Sequence, residues 1–203
     1  MNEIKPISVG NPTPVVVTPA RLGNPAVVGL SGFGMTTLML ALHNLGFAAV
    51  GPVIWLGFIF GGLTQLVAGF QEQKAGNNFG YAVFTSYGCF WIALCATLVA
   101  NKYGVFPVTD RDVGCFMVCW TLWTAMIWII SARVHKAMFV TFALLTLAFV
   151  LLDFEKYGGG EIYGTACNFT LIALVATVWY MQAAIILKDV AGREVLPMGK
   201  ALI

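Results

Sequence analysis

From residue 26 onward the chain is a succession of long apolar runs separated by short polar breaks, with no sustained alternation of polar and apolar positions. Six runs fall at 26–46, 49–70, 79–100, 113–131, 137–152 and 162–187. About 20 apolar residues cross a hydrocarbon core as a helix, since each adds about 1.5 Å of rise. The fifth run is the shortest, and Lys136 and Asp153 extend it by snorkelling at its ends. Continuous apolarity excludes a β-barrel, whose strands alternate with a period of two. The pattern predicts an all-α integral membrane protein with six transmembrane helices over 25–188. A Pro-rich tail over 1–24 (Pro6, Pro12, Pro14, Pro19) precedes them and a second tail over 189–203 follows. The first tail has no apolar stretch behind a basic start, so no cleaved signal peptide is expected.

Composition points the same way. Of 203 residues, 59% are hydrophobic and 10% charged, against about 25% charged in a soluble domain. This excludes a soluble enzyme domain and a disordered chain. A net charge of +2 is too small to attract a polyanion, so no nucleic-acid partner is expected; membrane lipid is the surrounding partner. The distribution of charge is more informative. Eight basic residues lie on the side of the N-terminal tail: Lys5, Arg21, Lys74, Arg133, Lys136, Lys188, Arg193 and Lys200. Three lie opposite: Lys102, Arg111 and Lys156. That excess places both termini in the cytoplasm.

No ionisable residue falls well inside a run. His43 and His135 belong to opposite ends of the bilayer, so they cannot share a haem or another metal. Cys115 and Cys119 share a helical face but have no third ligand nearby, and the five cysteines read as small core fillers. No metal, cofactor or catalytic motif is expected, and the chain does not read as an enzyme. The runs do carry neutral hydrogen-bonding side chains: Thr36, Thr37 and Asn44 in the first, Thr64 and Gln65 in the second, Thr85, Ser86 and Tyr87 in the third. Thr141 and Thr146 follow in the fifth, and Asn168, Thr177, Tyr180 and Gln182 in the sixth. On a helical period Phe33, Thr36/Thr37, Leu40 and Asn44 share one face, as do Tyr87 and Trp91. Such groups either bond helix to helix, at about 0.6 kcal/mol each, or line a narrow path for small, weakly polar solutes. Gly57-x-x-x-Gly61 allows close backbone approach, within one subunit or between two. Asn24-Pro25 begins the first helix, as a cap and a first helical residue. The free N–H groups there form a candidate anion site without a charged side chain.

The run Asn24-Pro25-Ala26-Val27-Val28-Gly29-Leu30 resembles the N-P-A-P-L-G-L signature of the acetate uptake transporters, the succinate–acetate permease or YaaH family. Gly32-Phe33-Gly34-Met35-Thr36-Thr37 and His43-Asn44 continue the likeness. So do Gly61-Gly62, Gln65, Ala68-Gly69, Phe79-Gly80, Phe84-Thr85-Ser86-Tyr87-Gly88 and Phe90-Trp91, and Gly192-Arg193-Glu194-Val195-Leu196-Pro197 resembles a G-R-x-V-L-P ending. The resemblance implies six helices per subunit, a homo-hexamer in the inner membrane, and one pathway per protomer for acetate, succinate and other short carboxylates. It implies an anion channel or a proton-coupled permease. It also implies a constriction of Phe, Tyr and Leu, which falls on Phe33, Tyr87 and Leu145. Candidate cargo contacts are then Asn24, Pro25, Ala26, Gly29, Thr36, Thr37, Asn44, Gln65, Thr85, Ser86 and Trp91. The chain departs from the signature at Val27 and Val28; loss of the second Pro restores an N–H at the helix start. The alternative is a channel for a small neutral solute such as urea, ammonia or the protonated acid.

Overall fold

A computed structural model of the chain describes residues 23–203; the Pro-rich stretch over 1–22 lies outside the described residues. Helix α1 spans Ala26–Asn44. Helices α2 (Val50–Phe58) and α3 (Gln65–Lys74) are one continuous rod joined by a π-helical segment, Ile59–Thr64. Then come α4 (Asn78–Lys102), α5 (Asp110–Ser131), α6 (Lys136–Phe154), a short π turn at Glu155–Gly159, and α7 (Glu161–Ala191). Among the described residues the rods number six, each long and apolar enough to cross a membrane, and no strand occurs.

Local chemistry sets the ends. Asn77 caps α4 by accepting the Gly80 N–H at 3.1 Å. Thr109 and Asp112 cap each other's backbone at the start of α5, which satisfies two orphan donors at once. His135 caps α6 through Nδ1, which accepts the Met138 N–H at 3.1 Å. Two helices outlast their apolar runs by a full turn: α3 continues past residue 70 to Lys74 and α7 past 187 to Ala191. Gln71, Glu72, Gln73 and Lys74 are good helix formers, so polarity alone does not end the rod. Glu72 and Asp189 therefore sit on helices rather than in loops.

The rods close into a ring. α1 packs on α7 and on the α2–α3 rod, α3 packs on α4, and α6 packs on both α5 and α7. α4 and α5 meet through aromatic side chains, Phe90 on Phe116 at 5.8 Å and on Trp120 at 5.1 Å between ring centroids. Glycine closes the opposite side. A Cβ on Gly32 would fall on the Phe60 carbonyl oxygen, and one on Gly88 would lie 2.8 Å from the Leu66 amide nitrogen. In the Gly57-x-x-x-Gly61 stripe, Gly57 faces Cys95 and Gly61 faces Thr36, so the stripe packs helices within the chain. Polar side chains then pin the bundle. Asn44 Nδ2 donates to Asn168 Oδ1 at 3.0 Å, the Thr141 and Thr177 hydroxyls meet at 2.9 Å, and Gln182 donates to Ser31 Oγ.

Beyond α7 the chain returns to the α5–α6 turn. The Met198 carbonyl accepts the Ala137 N–H at 3.0 Å, and the Leu202 N–H donates to the Ala132 carbonyl at 2.8 Å. Tyr180 Oη donates to the Pro197 carbonyl at 2.8 Å. The start of α1 and this returning tail thus share one end of the bundle.

The glycine contact is open to test. Gly32→Val drives a side chain into a backbone carbonyl that no rotamer change relieves, and overpacking of this kind costs about 1–3 kcal/mol or more. Thermal melting in detergent should fall steeply for Gly32→Val. It should hardly move for Gly51→Ala, where nothing lies within 4 Å of an added Cβ.

Candidate functional site

Three cavities follow one another along the bundle. At the end that carries the start of α1 is a vestibule of about 500 Å³, its mouth lined by Asn24, Ala26, Asn77, Gly80, Arg133, His135 and Met198. At the far end is a second vestibule of about 450 Å³, lined by His43, Asn44, Asn168, Glu155, Lys156 and Glu161 among others. Between them lies a chamber of about 50 Å³ lined by Thr37, Trp91, Phe90, Ala148 and Phe149 among apolar neighbours. Phe33, Tyr87 and Leu145 line both the first vestibule and the chamber. Leu40, Leu94, Met117 and Leu152 line both the chamber and the far vestibule. Phe33, Tyr87 and Leu145 are thus the partition on one side of the waist, contributed by α1, α4 and α6.

Tyr87 is the most firmly held of the three, with 1% of its surface exposed. Its hydroxyl meets Thr124 Oγ1 of α5 at 2.8 Å. Its ring lies edge-on to Phe33 at 5.5 Å and Trp123 at 5.2 Å, and stacked on Trp120 at 6.0 Å. Edge and offset contacts of this kind add about 0.5–1.5 kcal/mol each beyond burial. The waist is therefore built on a ring that its neighbours hold in place.

The polar atoms along this path differ from those between helices. Gln65 is fully buried, it lines the first vestibule, and neither Nε2 nor Oε1 has a partner among the described residues. Thr37 Oγ1 and Trp91 Nε1, both at the chamber wall, are likewise without partners there. A buried polar group left unpaired costs about 1–3 kcal/mol, so a cavity wall is the place where water or a solute can supply the missing bond. The π segment sets the direction of Gln65, because one extra residue in a turn rotates the rest of the rod by about 100°. The buried face of α3 is then Gln65, Ala68, Gly69 and Glu72.

Of the sequence-predicted residues, Asn24, Ala26 and Gln65 line the first vestibule, Thr37 and Trp91 the chamber, and Asn44 the far vestibule. The others, Pro25 and Ser86 among them, line none of the three cavities. Thr36 donates to the Leu56 carbonyl at 3.4 Å and packs on Gly61, because one residue of helix turns it about 100° from Thr37. Thr85 donates to the Tyr81 carbonyl at 2.6 Å and abuts Gly69, while Gly29 receives the Phe84 ring. Asn24 Oδ1 accepts the Ala26 N–H at 2.9 Å, so that N–H is already capped.

Three groups that the apolar pattern assigns to loops stand at the first vestibule instead. Arg133 and His135 line its mouth, and Glu72 is buried beside it. His135 Nδ1 accepts a hydrogen bond, which requires the neutral ring with its proton on Nε2. Burial holds this imidazole below its ordinary protonation range. The unfolded chain then takes the proton more readily, so acidification through that range withdraws stability. Among the described residues no group of three or more His, Cys, Asp or Glu side chains is placed to hold a metal.

The Tyr87–Thr124 bond predicts its own cycle. Thr124→Val and Tyr87→Phe should each lower stability modestly, by about 0.6 kcal/mol and at most about 1.7 kcal/mol, read from unfolding in detergent. The double variant should be little worse than either single one, since both remove the same bond; additive losses would show the bond to be inert.

Comparison with known proteins identifies the family. The model of the GPR1/FUN34/yaaH family matches residues 8–194. The succinate-acetate/proton symporter SatP of Escherichia coli is 34% identical over 183 residues, 89% of this chain and 97% of its own. Acetate permease A of Emericella nidulans is 34% identical over 145 residues, 65% of this chain and 49% of its own. The solved structure of the bacterial acetate channel SatP superposes with a TM-score of 0.84 at 34% identity, covering 88% of this chain and all of that one. With its fold, its span pattern and the matched residues in agreement, the chain belongs to the GPR1/FUN34/yaaH family.

Proposed function

We propose that the chain carries acetate and related short carboxylates, succinate among them, across the cytoplasmic membrane through the path described. The observation that carries this reading is the fully buried Gln65 with both amide atoms unpaired, on the vestibule wall below a partition of Phe33, Tyr87 and Leu145. In this reading both termini face the cytoplasm, as the eight-to-three basic excess supports. The Asn24 vestibule is then the inner one. The protomers assemble as a hexamer, and the exposed apolar residues Trp55, Ile59, Leu63 and Val67 on the second rod are available to lipid or to a neighbouring protomer.

An ionised carboxylate is expensive to bring into an apolar interior unless hydrogen bonds replace its water. Arg133 at the mouth attracts it, and the Gln65 Nε2 group donates to it below the waist. Phe33, Tyr87 and Leu145 squeeze out bulk water and limit size, as a hydrophobic constriction does. Thr37 Oγ1 and Trp91 Nε1 offer the next donors on the other side. None of these three donors is charged, so cargo is held loosely enough to leave. A second reading, a channel for a small neutral solute, draws on the middle chamber, whose lining holds no charged side chain.

Reconstitution decides between them. Proteoliposomes should take up radiolabelled acetate faster than empty vesicles, with a rate that follows membrane voltage if the anion crosses alone and ignores it if a proton crosses with it or the neutral acid crosses. Gln65→Leu should lower the flux about tenfold, the equivalent of one donor worth about 1.4 kcal/mol. Leu145→Ala should raise succinate flux relative to acetate by opening the partition.

Asn24 yields a separate expectation. Asn, Asp and Ser all cap well, so Asn24→Asp and Asn24→Ser should both fold. A carboxylate at the vestibule mouth repels an incoming anion, so Asn24→Asp should carry much less acetate while Asn24→Ser keeps most of the flux. Equal flux at equal membrane abundance would reduce Asn24 to a helix cap.

A further inference from the structure

Glu72 lies two turns along α3 from Gln65 on the same buried face, with 3% of its surface exposed. Its Oε2 accepts a hydrogen bond from Asn77 Nδ2 at 2.7 Å. Its Oε1 has no partner among the described residues, and no ion pair reaches it among them. α4 bears directly on the carboxyl: a Cβ added to Gly80 would stand 2.8 Å from the Glu72 carboxyl carbon. Asn24, Ala26, Asn77 and Gly80 all line the first vestibule. Glu72 therefore stands immediately behind the vestibule wall, at the helix end that an entering carboxylate meets.

Among the described residues the ionisable surroundings are sparse. α1 carries only His43, at its opposite end, and the start of α4 carries only Tyr81, whose ring packs on Phe70. Lys74 is two residues away on α3 itself, and Arg133 and His135 lie at the vestibule mouth. A buried carboxylate without a counter-ion is costly, and a second carboxylate brought close to it makes one of the two bind a proton.

We propose that Glu72 is the proton-accepting group of the pathway, taking up one proton when a carboxylate enters the first vestibule and giving it up when the cargo leaves. The proton leaves a hydronium ion at the vestibule, whose O–H bond breaks as a bond to a Glu72 carboxylate oxygen forms, and on release it passes back to a water molecule; no other bond is made or broken. The cargo's single negative charge then replaces that of Glu72. This inference rests on the acetate reading and assigns to one side chain the coupling that the name of the Escherichia coli relative attributes to that protein.

The test counts protons. Calorimetric titration of the purified full chain with acetate, in buffers of different ionisation enthalpy, should show uptake of about one proton per acetate bound, and acetate affinity should fall about tenfold per pH unit above the protonation range of Glu72. Glu72→Gln keeps the size and the Asn77 contact. It should bind acetate with no proton uptake and a flat pH dependence. Unchanged proton uptake in Glu72→Gln would overturn the assignment, because the proton would then travel on the cargo or elsewhere. Should that variant not fold, an apolar carbodiimide applied to the unmodified chain reads the same group. Labelling mapped to Glu72 that declines as pH rises supports the inference, and no labelling of Glu72 at any pH overturns it. Absence of acetate flux in the unmodified chain would instead overturn the transport reading, which separates the two failures.

Discussion

Inside a bilayer a polar atom has no solvent to turn to, and beyond the hydroxyls that bond back to their own helix this constraint gives the hydrogen-bonding side chains two further roles. One is pairing across a helix interface: Asn44 with Asn168, Thr141 with Thr177, Gln182 with Ser31, Tyr87 with Thr124. These bonds are individually small, but each fixes the rotation of two helices about their axes. The other falls to groups buried with no protein partner, and three such groups stand on cavity walls: Gln65, Thr37 and Trp91. In so apolar a chain, an unanswered hydrogen bond is costly everywhere except beside a space that a solute can enter. Structure and transport are thus two outcomes of one rule.

The bundle has a tight side and a wide side. Glycines at positions 32 and 88 let α1 and α4 touch the second rod backbone to backbone. On the other side, tryptophan and phenylalanine rings of α5 hold α4 away, and the space left between the elements contains the waist. Tyr87 belongs to both arrangements: it anchors the aromatic wall and forms part of the partition. Its ring cannot be trimmed without loosening the wall, whereas Leu145 contributes only an aliphatic edge and is the easier position at which to alter passage.

Much of this is legible in the sequence, and the reasons it stops being so are local. Six apolar runs become six rods because length and apolarity are what a bilayer demands. The ends are misplaced where helix-forming polar residues extend a run, and that hides Glu72 among the loop charges. Period alone groups Thr36 with Thr37, but a pathway accepts only one of two adjacent residues, and packing against Gly61 decides which. The motif of residues 84–88 brings Thr85 and Ser86 forward together with Tyr87, although of these three only Tyr87 lines the cavities. Arg133 and His135 carry no signal of their own, since the turn that places them at the vestibule mouth depends on how α5 and α6 cross. The π segment is also invisible, because a six-residue stretch with two glycines does not announce which hydrogen-bond register it adopts.

The disparity in cavity size has an electrical consequence. Two vestibules of about 500 and 450 Å³ flank a chamber of about 50 Å³. Water filling the wide ends is highly polarisable and supports little field, so the transmembrane potential drops across the short apolar segment between Phe33 and Leu94. An anion moving through would feel almost no voltage along most of its route and nearly all of it within a few side chains. The full potential is worth about 2.3 kcal/mol per charge per 100 mV, and the waist concentrates that work into a single step.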